Sequence, residues 1–194
     1  MKGERVWLWG VPVLALGLAL PDGVFGETGT QTKSAQNLGH AQARLVKEVR
    51  HNLVMLPFYG VFDNLEFQIQ GADTVALSGQ VTRPTLMSGA ERVVKDIEGV
   101  AKVVNNIEVL PVSPNDDGIR LAMYRAIYGH TGLDRYALRA VPPIHIIVKN
   151  GKVTLVGVVA NAGDKNLAGI VANGVPGTFG VTNDLRVESE PADK

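Results

Sequence analysis

VALSGQV at Val75–Val81 and VTLVGVV at Val153–Val159 decide the fold. In each run the first, third and seventh residues are large and apolar, and the fifth is glycine. Such period-two alternation marks a strand with one buried face. The two runs lie 78 positions apart, and the same offset relates the segments downstream of them. Ala90, Val93, Ile97 and Gly99 recur as Ala168, Val171, Val175 and Gly177. Val103, Asn105, Ile107 and Val109 recur as Val181, Asn183, Leu185 and Val187. A constant offset over three elements means that the chain carries an internal duplication.

Working upstream, Leu65, Phe67 and Ile69 alternate with Glu66, Gln68 and Gln70, a second half-buried strand. Its counterpart is Ile144, Ile146 and Val148, at an offset of 79 rather than 78. The first hairpin turn, around Gly71 to Asp73, is therefore expected to be one residue longer than the two-residue turn Asn150-Gly151. Leu45, Val49, Leu53 and Leu56 form a helical stripe that Pro57 stops, and Leu45 and Val49 match Met123 and Ile127. Pro84 opens a second helix, striped by Leu86, Ala90, Val93, Val94 and Ile97 and closed by Gly99. In the second copy Asn115 or Asp116 is expected to cap the first helix. There Gly163, Gly169 and Gly174 weaken the second helix, at about 1 kcal/mol for each interior glycine.

The order helix, strand, strand, helix, strand thus occurs twice. The fold class is α+β: two αββαβ modules, each a small three-stranded mixed sheet with two helices on one face. A sheet of that size leaves its other face open, and the tandem copy is the expected cover, by pseudo-twofold packing.

The chain of 194 residues begins with a basic start, Lys2 and Arg5, and an uncharged apolar run, Val6–Leu20. Small residues at Val24-Phe25-Gly26 complete the pattern of a secretory signal peptide, 1–26, cleaved after Gly26. A periplasmic location is expected, with an uncleaved N-terminal membrane anchor as the alternative. Residues 27–40 read as a flexible polar lead-in, 41–112 as the first module and 113–190 as the second.

The 19 basic and 19 acidic residues balance, so bulk charge gives no sign of a nucleic-acid partner. The absence of cysteine excludes thiolate catalysis, disulfides and cysteine metal sites. His40, His51, His130 and His145 show no metal-ligand spacing, and no nucleophile elbow or phosphate loop occurs. No catalytic residue, cofactor, metal or small-molecule substrate is expected. His145, between Ile144 and Ile146, points off the core face and reads as solvated or partner-facing. Asp116-Asp117 reads as helix capping rather than a calcium loop, which needs further acids.

Two stretches stand out. Phe58, Tyr59 and Phe62 fall in a connection that should be polar. They suit either a membrane interface or a plug between the two copies. From Ile119 to Ala140 the chain carries Arg120, Arg125, Arg135 and Arg139 against one acid, Asp134, with Tyr124, Tyr128 and Tyr136 interleaved. That composition suits anionic headgroups, or else a solvated helix face with some tyrosines buried. The candidate contact residues are Phe58, Tyr59, Phe62, Tyr128, Arg135, Tyr136 and Arg139. Lys149 and Lys152, beside the hairpin turn, join them unless they serve only to keep that turn soluble.

The repeat also resembles the BON domain, a bacterial module. The resemblance lies in V-x-L-x-G-x-V and in the later runs GVAKVVNNIEV at Gly99–Val109 and GTFGVTNDLRV at Gly177–Val187. The second copy departs in having Thr178 where the pattern has valine. The resemblance implies a non-enzymatic extracytoplasmic protein that binds phospholipid surfaces or protects the cell envelope under stress. A chaperone-like or protein-interaction role in an envelope assembly is the alternative. The implied partners are an anionic phospholipid surface or envelope proteins.

Overall fold

A computed structural model describes residues 6–7, 29–71 and 73–188. A two-residue strand, β1 (Val6–Trp7), precedes the modules. Apart from it, the expected signal peptide lies outside the described residues. Module 1 comprises α1 (Gly29–Val54), β2 (Asn64–Gln70), β3 (Thr74–Val81), α2 (Pro84–Lys95) and β4 (Lys102–Val109). Module 2 repeats the order with α3 (Pro114–Tyr128), β5 (Ile144–Lys149), β6 (Lys152–Val159), α4 (Ala162–Asn173) and β7 (Gly180–Val187). A short 3-10 helix, Asp134–Leu138, is inserted ahead of β5.

Both sheets are mixed, as expected. β2 pairs antiparallel with β3, which pairs parallel with β4; β5, β6 and β7 repeat the arrangement. The parallel pair needs a crossover, which α2 and α4 supply. The pairs Gln70↔Thr74 and Lys149↔Lys152 close turns of three and two residues, accounting for the shift from 78 to 79.

The asparagine repeated at the same place in the last strand, Asn105 and Asn183, ties that strand to its crossover helix. Asn105 Nδ2 donates to the Met87 carbonyl at 3.2 Å, and Asn183 Nδ2 to the Lys165 carbonyl at 2.7 Å. In module 2, Gly169 makes room for this bond, since a Cβ there would stand 2.8 Å from Asn183 Nδ2.

Two local readings are corrected. α1 begins at Gly29, so residues 29–40 are helical rather than a flexible lead-in. Residues 39–44 are exposed and Leu45 is the first core residue described. Once the packed half of a helix is nucleated, extending it through Gln, Lys and Ala costs little. The cap of α3 is Ser113, whose Oγ accepts the Asp116 N–H at 3.2 Å, and not Asn115 or Asp116. The Asp116 carboxylate instead accepts the Asn150 and Gly151 N–H groups of the distant hairpin turn, at 2.9 and 2.8 Å.

Each module has its own core, and each core takes residues from the other module. The module 1 core, with Leu53, Phe67, Leu77 and Val94, is covered in part by Val141 of module 2. The module 2 core, with Met123, Ile146, Leu155 and Leu185, is covered in part by Val61 and Phe62 of module 1. Leu110, Ile147 and Val156 form a third cluster on the outer face of the module 2 sheet. The tandem copy thus covers part of that open face, and does so through exchanged connections as well.

Candidate functional site

The connection from α1 to β2 is the joint of the molecule. Tyr59 is buried and its ring lies 5.6 Å from that of His145. The Ile146 N–H donates to the Val61 carbonyl at 2.8 Å, so this connection lies along the outer edge of β5. Phe62 is half-buried, edge-on to Tyr124 at 6.3 Å. His145 is fully buried, which pushes its imidazole down to about 4, against the pull of hydrogen bonds with the backbone of Asp63 and Gly60. His145 therefore faces the partner copy and not solvent.

Asp63 anchors the far end of the joint. Its carboxylate accepts the Thr82 N–H at 2.7 Å, the Thr82 hydroxyl at 2.8 Å and the Gly60 N–H at 3.1 Å. Burial raises the Asp63 carboxyl above the usual range, although those bonds oppose the shift.

The nine candidate contact residues do not form one patch. Tyr59 and Phe62 plug the contact between copies, leaving Phe58 alone of that trio outside, 71% exposed, beneath the Arg83 guanidinium at 4.8 Å. Tyr128 is buried; its hydroxyl donates to the Ile144 carbonyl, and burial pushes its pKa up. Tyr136 is buried too, donating to Asp164 Oδ2 at 2.5 Å and accepting the Ala160 N–H at 2.8 Å. These tyrosines are structural, because an amphipathic ring with one bonded hydroxyl is well placed inside. Lys149 pairs with Glu108 across the two modules, and Lys152 lies exposed near the same turn. From Lys152 to Val158 is about 20 Å along β6, so these lysines sit far from the arginines.

The arginines form the one coherent group. Arg135 ion-pairs with Asp164, whose own N–H is held by Asn161 at 2.9 Å in the first turn of α4. The same carboxylate accepts Asn161 Nδ2 at 3.0 Å, and it complements the positive helix start. Arg139 is exposed and makes no ion pair among the described residues. Arg135, Tyr136, Arg139, Pro143, Val158 and the acidic Glu188 line a cleft of about 260 Å³. Leu138 is 86% exposed at the end of the 3-10 helix, between the two arginines in sequence.

Sequence reasoning missed Leu138, although an apolar residue outside any stripe, in RYALRA, was the available signal. It also missed Phe179, 79% exposed against Gly151 and beside the Lys152 turn. Phe179 stands where the first copy has Ala101, inside the run GTFGVTNDLRV that carries the family resemblance. Among the described residues no cluster of three or more His, Asp or Glu is arranged to hold a metal ion, and no helix is long and apolar enough to cross a membrane.

The sequence profile of the family described as "BON domain" matches residues 42–111 and 132–189. No curated protein matches the sequence. Similar solved structures include two of CdsD, a structural protein of the type III secretion system of Chlamydia trachomatis, one being its C-terminal domain. Each is 13% identical with a TM-score of 0.27, covering 75% of this chain and 98% and 92% of the other. A likeness in shape this distant has no bearing on function.

Proposed function

The chain belongs to the BON-domain family, and on that premise we propose that module 2 binds an anionic phospholipid surface outside the cytoplasm without catalysing a reaction. The observation that carries this reading is Leu138, 86% exposed and flanked by Arg135 and Arg139 on one short turn. A lone exposed leucine is ordinary; one raised between two arginines matches a headgroup layer with acyl chains beneath it. Burying the leucine contributes about 2 kcal/mol, and Arg139, which has no ion pair among the described residues, about 1 kcal/mol near an anionic surface. Binding is then peripheral, weak and sensitive to salt. Protection of the envelope under stress would follow from attachment at that surface.

Flotation with anionic vesicles tests the site. Binding of the chain lacking residues 1–26 should fall severalfold from low to high salt. Leu138→Asp and Arg139→Glu should each reduce it about tenfold. Arg139 is the arginine to reverse, because a glutamate at 135 would face Asp164. Binding that ignored salt and both substitutions would remove Leu138 and Arg139 from the role. No binding under any condition would leave a protein-directed function.

A further inference from the structure

The two modules treat the outer edge of their first strand differently. In module 2 the edge of β5 is closed by three successive bonds. The Ile144 carbonyl accepts the Tyr128 hydroxyl, the Ile146 N–H donates to the Val61 carbonyl, and the Val148 carbonyl accepts Arg120 Nη2 at 2.8 Å. Two of the three closing groups are side chains of α3. The matching strand positions in module 1 are Leu65, Phe67 and Ile69, and the matching helix positions are Arg50 for Tyr128 and Gln42 for Arg120.

Neither substitute closes the edge. Gln42 is exposed, and Arg50 keeps Nε and Nη2 buried without a hydrogen-bond partner. Among the described residues neither bonds to Leu65 or Ile69. The edge instead takes a strand: Val6 pairs with Phe67 and Trp7 with Glu66, antiparallel. Phe67 is the counterpart of Ile146, the residue to which Val61 bonds in module 2. At equivalent edge positions, therefore, each module is met by a valine from outside it.

We propose that the β2 edge is an acceptor for an extended, uncharged apolar segment of another polypeptide, by strand addition. This rests on the expected removal of residues 1–26, which takes Val6 and Trp7 away and bares the edge. The chemistry of the occupant is that of the two residues now seated there and of the run they open, Val6–Leu20, which carries no charge. Main-chain bonds supply the attachment, and alternate side chains of the guest supply the selection. Module 2 cannot act this way, because Tyr128, Arg120 and Val61 occupy its edge.

The test uses the chain lacking residues 1–26, which keeps both cores, Leu45 to Leu185. That chain has no tryptophan, since Trp7 and Trp9 are the two in the sequence. A synthetic peptide of residues 6–12, the uncharged stretch that begins with Val6 and Trp7, therefore reports its own binding by tryptophan emission. The expected result is a saturable blue shift, with amide exchange at Phe67 slowed at least tenfold and unchanged at Ile146. A peptide with proline at both 6 and 7 should not bind. Grafting the closure of module 2 onto module 1, with Gln42→Arg and Arg50→Tyr, should weaken binding at least tenfold while the melting temperature holds. No binding of the native peptide, protection elsewhere than β2, or equal binding by the proline peptide would overturn the proposal. Should the graft fail to fold, the proline peptide still decides. Because the shortened chain is made directly, these results do not depend on cleavage in cells. A leader retained in cells would count against removal, and not against the acceptor edge.

Discussion

Alanine at Gly157 is expected to unfold module 2. Gly157 sits in the middle of β6 with φ +129°, and a Cβ there would stand 1.9 Å from the Pro143 carbonyl oxygen. That oxygen belongs to the backbone entering β5, so it cannot yield as a flexible side chain would. The φ value is itself closed to ordinary L residues. Steric overlap and backbone strain together place the loss at about 4 kcal/mol or more, a large share of the 5–15 kcal/mol typical of whole domains. Gly79 holds the same place in module 1, at φ +114° and 2.2 Å from the Asn64 carbonyl oxygen, and Gly79→Ala should do the same there. Gly118 in α3 is the control: a Cβ would meet nothing within 4 Å, so Gly118→Ala should stabilise by about 0.5–1 kcal/mol. Urea unfolding followed by circular dichroism reads all three. A midpoint for Gly157→Ala within error of the unsubstituted chain would show that the strand yields where the geometry says it cannot.

Acid should loosen the joint between the copies through His145. Above pH 6.5 the imidazole is neutral in both folded and unfolded chains, and its contribution is fully present. Burial holds the folded value down to about 4. Between pH 6.5 and 4 the unfolded chain therefore binds a proton that the folded chain refuses. Stability is lost across that window at up to about 1.4 kcal/mol per pH unit, or about 3 kcal/mol by pH 4. Asp63 acts in the opposite sense. Its raised folded pKa means that the folded state takes up a proton first as pH falls, which moderates the loss at the acid end. Free energies of unfolding measured at pH 7, 6, 5 and 4 for the native chain and for His145→Gln should converge as pH falls. Parallel curves would mean that the histidine is not held neutral.

The repeat, the strand order and the longer first turn were all legible, because each depends on local periodicity and on a constant offset. The reason for the glycine in VALSGQV and VTLVGVV was not. It lies in a carbonyl of the neighbouring strand, which only the folded register brings near. The role of Asp116 was hidden for the same cause: the amides it accepts are 34 and 35 residues away. Tyrosine and arginine mislead most. Tyr128, Tyr136 and Arg120 look like a surface set in sequence, yet each has its polar end bonded inside the fold. Composition suggested a basic-aromatic surface, but burial removes Tyr128 and Tyr136 from it, leaving Tyr124 partly exposed and Arg139 beside Leu138 in sequence.

What joins the two copies is the passage of residues 59–63 along β5, with Val61 bonded to Ile146 and Tyr59 and Phe62 packed across the joint. The most direct test compares residues 113–190 alone with the same residues in the whole chain, by urea unfolding followed through backbone amide exchange. Without module 1 the isolated module loses one edge hydrogen bond, the cover given by two aromatic rings, the Leu110 contact and the Glu108 ion pair. It should be less stable by about 3 kcal/mol, with the Ile146 amide exchanging as freely as an exposed one. Equal stability in both settings, with Ile146 protected in each, would contradict the joint.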